Sequence, residues 1–379
     1  MKRHQLIYKL IRPLVILFMK LRFGYTYEKA PKIDGNYIVI SNHTTDYDMC
    51  ILASSFSEQM YFVASEHVAR MGFLYRILEY AFAPIMRPKG SSAAGAVMAM
   101  VRKARQGHNI CLFAEGVRSW DGVTCPLPPA TGRLVKTTGL SLVTYKIEGG
   151  YFASPMWSGA SARRGRLHGR VVNVYSAEQL HDMKANQVQA LIEQDLYEDA
   201  YARQLEAPIA YRCKHPAKNL ENLMFVCPEC GALDSFVSDS HTVRCTSCDL
   251  TIKYDLYGML HGGPFRTLTE FAQWQDQQVD EHLTQSIGYT APNATLTRIN
   301  DHTVEFVCEG PMTLTADSLI CGEYCFPLPS VSDLAMRNQR PIVFTVGHDY
   351  YEVIPDKGSN ALKFMLYYQK CKKRTSVKR

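Results

Sequence analysis

The sequence lacks both the long apolar runs of a membrane-spanning protein and the low-complexity stretches of a disordered one. Of its 379 residues, 46% are hydrophobic and 21% are charged, and the mean hydropathy is −0.16. A polytopic membrane protein, a collagen-like chain and an intrinsically disordered chain are therefore excluded. A chain of this length can bury more than one hydrophobic core, so we expect several domains.

Acidic residues are absent from the first 26 positions, which hold six lysines and arginines. Residues 370–379 hold six more, so the rest of the chain is net acidic although the whole carries a charge of +6. Positive charge at the two ends favours contact with an anionic phospholipid surface. It argues against a nucleic-acid interface spread over the whole protein.

The N-terminal segment has the pattern of an amphipathic helix. Its longest uncharged stretch, residues 13–19, is too short to cross a bilayer, and Lys20 and Arg22 stand where a signal-peptide cleavage site would be. Cations fall on one arc of the helix and apolar side chains on the other. We predict a membrane anchor over residues 1–26, in the plane of the cytoplasmic face of the cell membrane and kinked or split near Pro13. A helix docked on the protein's own core is the alternative.

Beyond this segment, strand-like runs alternate with helical stretches. Tyr37–Ser41, Asn109–Phe113 and residues 141–147 are typical of strands, whereas residues 93–106 and 177–205 are typical of helices. Such alternation predicts an α/β fold with a central sheet flanked by helices. We assign residues 27–210 to this domain.

A histidine and an aspartate follow the first of these strands, in the segment NHTTDYD (residues 42–48). Five residues turn an ideal helix by about 500°, so His43 and Asp48 cannot share one helical face. They can meet if His43 lies in the turn and Asp48 in the first turn of the next helix. The carboxylate would then fix the histidine tautomer, and the other ring nitrogen could take a proton from a hydroxyl. A loop histidine with no chemical role is the alternative.

A second polar segment, FAEGVRS (residues 113–119), follows another strand. Glycine permits close approach of the backbone, and a guanidinium pairs with phosphate through two hydrogen bonds. This combination predicts an anion-binding loop, with a turn bearing a surface arginine as the alternative. Residues 84–87 (PIMR) form a further strand end with a single cation.

The segments NHTTDYD, IMR and FAEGVRS, in this order, resemble the first three blocks of the glycerolipid acyltransferase family, the 1-acylglycerol-3-phosphate acyltransferases and their relatives. The resemblance covers roughly residues 10–180 and implies a mixed sheet. It also implies that His43 is the general base and that Asp48 orients it. The residues implied to bind the acceptor's phosphate or to shape its pocket are Arg87, Glu115, Gly116 and Arg118.

The resemblance implies transfer of a fatty acyl group to the free hydroxyl of lysophosphatidate, giving phosphatidate in phospholipid synthesis. The donor would be an acyl-CoA or acyl-carrier-protein thioester, which is reactive enough to need no covalent intermediate or catalytic metal. Acylation of another lysolipid or of glycerol phosphate remains open, as does a non-catalytic lipid-binding scaffold. Two departures from the family pattern are FAEG in place of FPEG and Leu142-Val143-Thr144 in place of the fourth block, which is normally a proline flanked by valines.

Two CxxC pairs, separated by 14 residues, predict a four-thiolate zinc ribbon within residues 211–262. Four thiolates close the coordination shell, so the zinc would be structural. Two disulfides and a redox CxxC are the alternatives. Three acidic residues and a single cation lie among residues 227–248, which argues against a nucleic-acid partner. The predicted ligands are Cys227, Cys230, Cys245 and Cys248.

Residues 263–379 are predicted to form a small β-rich domain with a basic tail. Short strands from Met312 onward and a helix near residues 360–370 resemble the second half of a pleckstrin-homology-like barrel with its closing helix. A membrane or partner adaptor and a packing domain both remain open for this region.

Overall fold

The computed structural model describes residues 3–65, 73–87, 94–159, 162–300 and 303–377. The chain forms two compact units, Met1–Pro155 with Ser161–Cys213 and Met156–Ala160 with Lys214–Arg379. The second unit includes residues 214–262 of the predicted zinc ribbon and the predicted β-rich region. The domain boundaries predicted at residues 210 and 262 stay predictions.

The first unit is built on a seven-stranded sheet with the strand order β1-β7-β6-β2-β5-β3-β4. Its neighbouring strands are parallel except for the β6–β7 pair, so the sheet is mixed. The predicted α/β class with a mixed sheet is therefore confirmed. The strands are β1 (Tyr25–Tyr27), β2 (Tyr37–Ser41), β3 (Met60–Ser65), β4 (Ile85–Arg87), β5 (Asn109–Phe113), β6 (Ser141–Glu148) and β7 (Leu167–Tyr175).

Helices flank this sheet. The helices of the first unit are α1 (Arg3–Phe23), α2 (Asp48–Ser55), α3 (Phe73–Phe82), α4 (Ala94–Arg105), α5 (Thr131–Thr138), α6 (Gly150–Ala153), α7 (Ala177–Asp182), α8 (Ala185–Leu196) and α9 (Ala200–Glu206). Residues 1–2 of the predicted anchor, residue 93 of the predicted helix and residues 378–379 of the basic tail lie outside the described residues.

The centre of the sheet places two functional segments side by side. Strand β2 is buried at every residue and pairs in parallel with both β5 and β6. Because parallel strands end at the same edge of a sheet, the loops after β2 and β5 are neighbours there. The amide of Asn42 also donates to Ile147 O at 2.9 Å and accepts from Ile147 N at 2.8 Å, so it fixes the end of β2 against β6.

Helix α1 differs from the predicted anchor in two respects. It continues through Pro13 without interruption. Packing of its buried face, which includes Met19 and Phe23, outweighs the one backbone hydrogen bond that proline cannot make. The helix ends at Phe23, and Tyr25 and Thr26 lie in β1, paired with β7. Among the described residues, no helix is both long and apolar enough to cross a membrane.

The second unit contains two antiparallel sheets, with the orders β11-β10-β9-β8 and β15-β14-β13-β12-β18-β17-β16. Its helices are α10 (Leu268–Thr284) and α11 (Leu362–Val377). The strands are β8 (Phe236–Ser238), β9 (Thr242–Cys245), β10 (Thr251–Tyr254), β11 (Leu260–His261), β12 (Tyr289–Asn300), β13 (Thr303–Leu314), β14 (Ser318–Cys321), β15 (Tyr324–Pro327), β16 (Val331–Met336), β17 (Ile342–Val346) and β18 (Asp349–Pro355).

The β-rich region contains more strands than its sequence predicted. Two 12-residue strands, β12 and β13, lie within the predicted region but begin before Met312, where the first strand was expected. Strand β12 was missed because its sequence, YTAPNATLTRIN, contains a proline and two asparagines, which are depleted in strands. The predicted closing helix is present as α11.

Candidate active site

His43 and Asp48 meet at the carboxyl end of β2. Asp48 is the first residue of α2 and is fully buried, and its Oδ2 atom accepts a hydrogen bond of 2.8 Å from His43 Nδ1. The His43 side chain is 27% exposed. Because the carboxylate accepts from Nδ1, that nitrogen carries the proton, and Nε2 is left with its lone pair. This is the arrangement that the segment NHTTDYD predicted.

The Asp48 carboxylate is held from several directions besides His43. It accepts from the backbone N–H of Thr44 at 2.6 Å and of Thr45 at 2.9 Å, and from the Thr45 hydroxyl at 2.6 Å. Hydrogen bonds to both oxygens leave the side chain one orientation. The carboxylate therefore has a fixed position, and its hydrogen bond to Nδ1 orients the imidazole of His43.

An aromatic ring orients the other side of the imidazole. The ring of Phe113, at the end of β5, stacks on the ring of His43 with centroids 4.9 Å apart and planes 22° apart. Sequence reasoning did not find this contact, since Phe113 belongs to a strand that is distant in sequence. The motif FAEGVRS contains it, but nothing in the motif shows that its first residue faces the histidine.

Glu115 links three segments of the site. One carboxylate oxygen accepts from the backbone N–H of His43 at 2.7 Å, and the other accepts from the backbone N–H of Cys125, also at 2.7 Å. Burial raises the pKa of Glu115 from 4.5 to about 7, against the opposing effect of the two N–H donors. The residue therefore positions the backbone that carries the histidine.

The raised pKa of Glu115 predicts a pH-dependent contribution to stability. The folded protein holds the Glu115 proton more tightly than the unfolded chain, so the stabilisation is complete below about pH 4.5 and lost as the pH rises through about 7. The difference amounts to roughly 3 kcal/mol.

Urea unfolding of the wild type and of Glu115→Gln at pH values between 5 and 8 measures this contribution, because glutamine does not titrate. We expect the stability of the wild type relative to the variant to fall as the pH rises. A difference between the two proteins that stays constant over this range would contradict the prediction.

Arg118 is buried, and its guanidinium contacts the loop that carries His43. Its Nε donates to Thr44 O at 3.1 Å, one terminal nitrogen donates to Asp46 Oδ1 at 2.9 Å, and the other donates to Ser154 O. The three nitrogens thus bind acceptors of the protein itself. Arg118 holds the 44–46 turn in place, and its predicted contact with an acceptor phosphate stays a prediction.

The remaining two predicted residues take separate places. Gly116 has a φ of +69°, a left-handed conformation that glycine adopts without strain, and it forms the tight turn after β5. Arg87 ends β4, and its side chain lies outside the part of the molecule that the structure describes.

A cleft adjoins the histidine. Among the described residues that line it there is no lysine or arginine, and the titratable groups are His43, Glu115, Tyr151 and Glu198. The segment Leu142-Val143-Thr144, which stands for the fourth block, is buried and does not line the cleft, and the Thr144 hydroxyl donates to buried Asp195 at 2.7 Å. The departure in this segment therefore concerns the packing of β6 and not the immediate surroundings of His43.

The four cysteines of the two CxxC pairs come together in the second unit. Their sulfur atoms all lie within 4.8 Å of one another, with 3.6 Å between Cys227 and Cys248 and 3.8 Å between Cys230 and Cys245. Four sulfurs bound tetrahedrally to one zinc ion lie about 3.8 Å apart. The cluster therefore fits a single zinc ion whose four positions are all filled by protein.

Comparison with known proteins gives a family for the first unit. Residues 23–148 match the family model described as Acyltransferase, a range that includes His43, Asp48, Glu115 and Arg118. Among solved structures, the crystal structure of the 1-acyl-sn-glycerophosphate (LPA) acyltransferase PlsC from Thermotoga maritima is similar. It shares 18% sequence identity over 54% of this chain and 81% of that chain, with a TM-score of 0.42. No curated protein sequence matches the chain.

Proposed function

We propose that the acyltransferase domain formed by residues 23–148 transfers a fatty acyl group from a coenzyme A or acyl-carrier-protein thioester to the free hydroxyl of lysophosphatidate. The observation that carries the proposal is the 2.8 Å hydrogen bond between His43 and Asp48 beside a cleft. The choice of a phosphate-bearing acceptor rests on the resemblance of the three sequence blocks to glycerolipid acyltransferases.

In the proposed reaction, His43 Nε2 takes the proton from the acceptor hydroxyl as its oxygen attacks the thioester carbonyl carbon. Asp48 stabilises the positive charge that develops on the imidazole. The tetrahedral intermediate then collapses, the carbon–sulfur bond breaks, and the proton passes from His43 to the departing thiolate. An ester and a free thiol are formed without a covalent bond to the protein.

Recognition of the acceptor phosphate is proposed for Arg118. The Asp46 side chain that it contacts is 66% exposed, whereas the arginine is 8% exposed. A phosphate could therefore replace the carboxylate of Asp46 without moving the buried guanidinium far. A dianionic phosphate would compete well for this position, since charge-assisted hydrogen bonds to phosphate are strong.

The experiment is an acyl-transfer assay on lysophosphatidate, glycerol phosphate and phosphate-free monoacylglycerol, with each donor. We expect lysophosphatidate to be the best acceptor of the wild type. Arg118→Ala should slow all three reactions because its contacts with the 44–46 turn are lost, and it should in addition raise the KM for lysophosphatidate about tenfold relative to that for monoacylglycerol, because the charge-assisted contact with phosphate is lost as well. Arg133→Ala, which removes an exposed arginine of α5, is the control.

Preference for another lysolipid or for glycerol phosphate would keep the reaction class and change the acceptor. No transfer to any acceptor from either donor would leave the lipid-binding scaffold as the function. An equal loss of activity of Arg118→Ala on all three acceptors would limit Arg118 to its structural contacts.

We also propose that α1 holds the protein on an anionic phospholipid surface, where the acceptor resides. Five leucines of α1, each 47–66% exposed, recur at intervals of three or four residues and so share one face of the helix. An exposed apolar stripe of this length is uncommon on a soluble surface and is typical of in-plane membrane helices. The leucines are Leu6, Leu10, Leu14, Leu17 and Leu21.

This proposal predicts that Leu10→Asp with Leu14→Asp releases the protein from vesicles. Both side chains are exposed, so the change removes apolar membrane contact without disturbing the core. Cosedimentation with phosphatidylglycerol vesicles should show at least about a tenfold loss of binding. The control, Val174→Asp with Leu205→Asp, adds the same charge to exposed sites of the same unit and should bind as the wild type does. Undiminished pelleting of the α1 variant would place the membrane contact elsewhere.

A further inference from the structure

The helix that carries Asp48 is short. Helix α2 has eight residues, and an isolated helix of this length is not stable in water. Its N-cap residue, Tyr47, makes no side-chain capping hydrogen bond. The position of Asp48 therefore depends on what holds α2 from outside, including the carbonyl groups left without helical partners in its last turn.

Two side chains of α1 bind these carbonyl groups. Arg12 Nε donates to Ala53 O at 2.8 Å, and a terminal nitrogen of Arg12 donates to Ser54 O at 2.7 Å. The Tyr8 hydroxyl lies 2.9 Å from Phe56 O and 3.1 Å from Ala53 O. The guanidinium thus satisfies two carbonyls and places a positive charge at the negative end of the helix dipole.

Helix α1 also contacts the other end of α2. The ring of Phe23 lies 5.0 Å from the ring of Tyr47, the residue immediately before Asp48. Contacts at both ends fix the position of α2 along its own axis as well as its distance from α1. A shift of this short helix would move Asp48 relative to His43, because His43 lies in the loop after β2 and is anchored separately through Glu115.

We propose that Arg12 is a positioning residue of the His43–Asp48 pair, acting through the C-terminal carbonyls of α2. Arg12 lies outside residues 23–148, so a contact from beyond the matched family domain completes its active site. Helix α1 therefore presents the exposed leucine stripe on one face and contacts α2, which carries Asp48, through another face. The expected effect of Arg12 on turnover rests on the proposed function. The expected effect of Arg12 on the geometry of His43 does not.

The experiment compares full-length Arg12→Ala, Arg12→Lys and wild type, with Lys32→Ala as a control that removes an exposed loop cation. With detergent-dispersed lysophosphatidate, Arg12→Ala should lower kcat about tenfold to a hundredfold, because catalysis is sensitive to small displacements of catalytic groups. The acceptor KM should stay within about twofold, since no substrate contact is removed. Arg12→Lys should recover part of the kcat, because it keeps the charge and one donor.

A second readout does not require activity. In protein labelled with nitrogen-15 histidine, the Nδ1 proton of His43 is identified by its loss in His43→Ala. We expect the Arg12→Ala variant to change the chemical shift of this resonance, or to broaden it because the proton exchanges faster with water. Lys32→Ala should leave the resonance unchanged. If the wild type transfers no acyl group, the proposed function fails while this measurement still tests the positioning role.

A wild-type kcat together with an unchanged His43 resonance in Arg12→Ala would overturn the inference, as would equal increases in KM and losses of kcat. Thermal unfolding of each variant separates positioning from loss of fold. If Arg12→Ala does not fold, Tyr8→Phe takes its place, since it removes the hydroxyl that donates to Ala53 O, which Arg12 also binds, and to Phe56 O. An unchanged kcat and His43 resonance in Tyr8→Phe would then overturn the inference.

Discussion

His43→Ala is expected to lower kcat by about a thousandfold, the range that general-base catalysis contributes. The reason is chemical: without the imidazole, the acceptor hydroxyl must lose its proton to water, and the leaving thiolate has no positioned donor. Asp48→Asn is expected to lower kcat by about a hundredfold or more. An amide nitrogen cannot accept the hydrogen bonds that the Asp48 oxygens take from His43, Thr44 and Thr45.

Single-turnover rates with a radiolabelled thioester and saturating lysophosphatidate measure these losses. The chain supplies a matched control, because His181 also lies close to an aspartate, with 3.2 Å between His181 Nδ1 and Asp182 Oδ1, but both side chains are almost fully exposed. His181→Ala should therefore keep wild-type rates. Rates of His43→Ala within a fewfold of the wild type would rule out His43 as the base. Thermal unfolding shows whether Asp48→Asn remains folded.

The features that sequence predicted best are those encoded within a few residues. His43 and Asp48 are five positions apart, so the turn between a strand and a helix is enough to bring them together, and the structure has that geometry. The two CxxC pairs are similar, since each pair supplies two neighbouring sulfur atoms of the four-cysteine cluster from within four residues. The α/β class followed from the buried strand Tyr37–Ser41 and its alternation with helices.

The hydrogen bonds that hold the site together could not be predicted from short motifs, because each of them joins segments that are far apart in the sequence. The sequence predicted Glu115 as part of a phosphate-binding loop, yet its carboxylate accepts hydrogen bonds from the backbone N–H groups of His43 and Cys125. The sequence predicted Arg118 as a phosphate ligand, yet its guanidinium donates to Thr44, Asp46 and Ser154. A short motif shows which residue types are present but not which remote carbonyl or amide faces them.

Secondary-structure propensity also gave wrong predictions for two elements whose structure depends on packing against other parts of the chain. Proline often ends a helix, but α1 continues through Pro13 and has buried side chains on both sides of it, Tyr8 before and Met19 and Phe23 after. Strand β12 contains a proline and two asparagines, which disfavour strands, and its pairing with both β13 and β18 compensates. In both elements the partner, and not the segment's own composition, sets the structure.

The second large effect is expected at the cysteine cluster. We predict one zinc ion per chain, and Cys230→Ser should release it, because three thiolates and a hydroxyl bind zinc far more weakly than four thiolates. Structural zinc sites couple metal binding to folding with apparent free energies of about 10 kcal/mol or more. The loss should therefore unfold the four-stranded sheet that the cluster supports.

The damage should extend beyond that sheet. Asp234, between the two CxxC pairs, forms an ion pair with buried Lys363 of α11, and Asn360 donates its amide to Glu221 O at 2.6 Å. These contacts tie the zinc region to the closing helix within the second unit. Removing one partner of a buried ion pair costs several kcal/mol, so we expect melting of the second unit to occur at lower temperature once the metal region unfolds.

Elemental analysis of protein purified without chelators, together with thermal unfolding, tests this prediction. Cys325→Ser is the matched control, since Cys325 is an exposed cysteine of the same unit that lies outside the cluster, and it should keep both the zinc and the wild-type melting temperature. The first unit is a compact body of its own, so the His43 Nδ1 resonance of Cys230→Ser should stay that of the wild type. A full complement of zinc in Cys230→Ser, or none in the wild type, would show that these four thiolates do not form a structural zinc site.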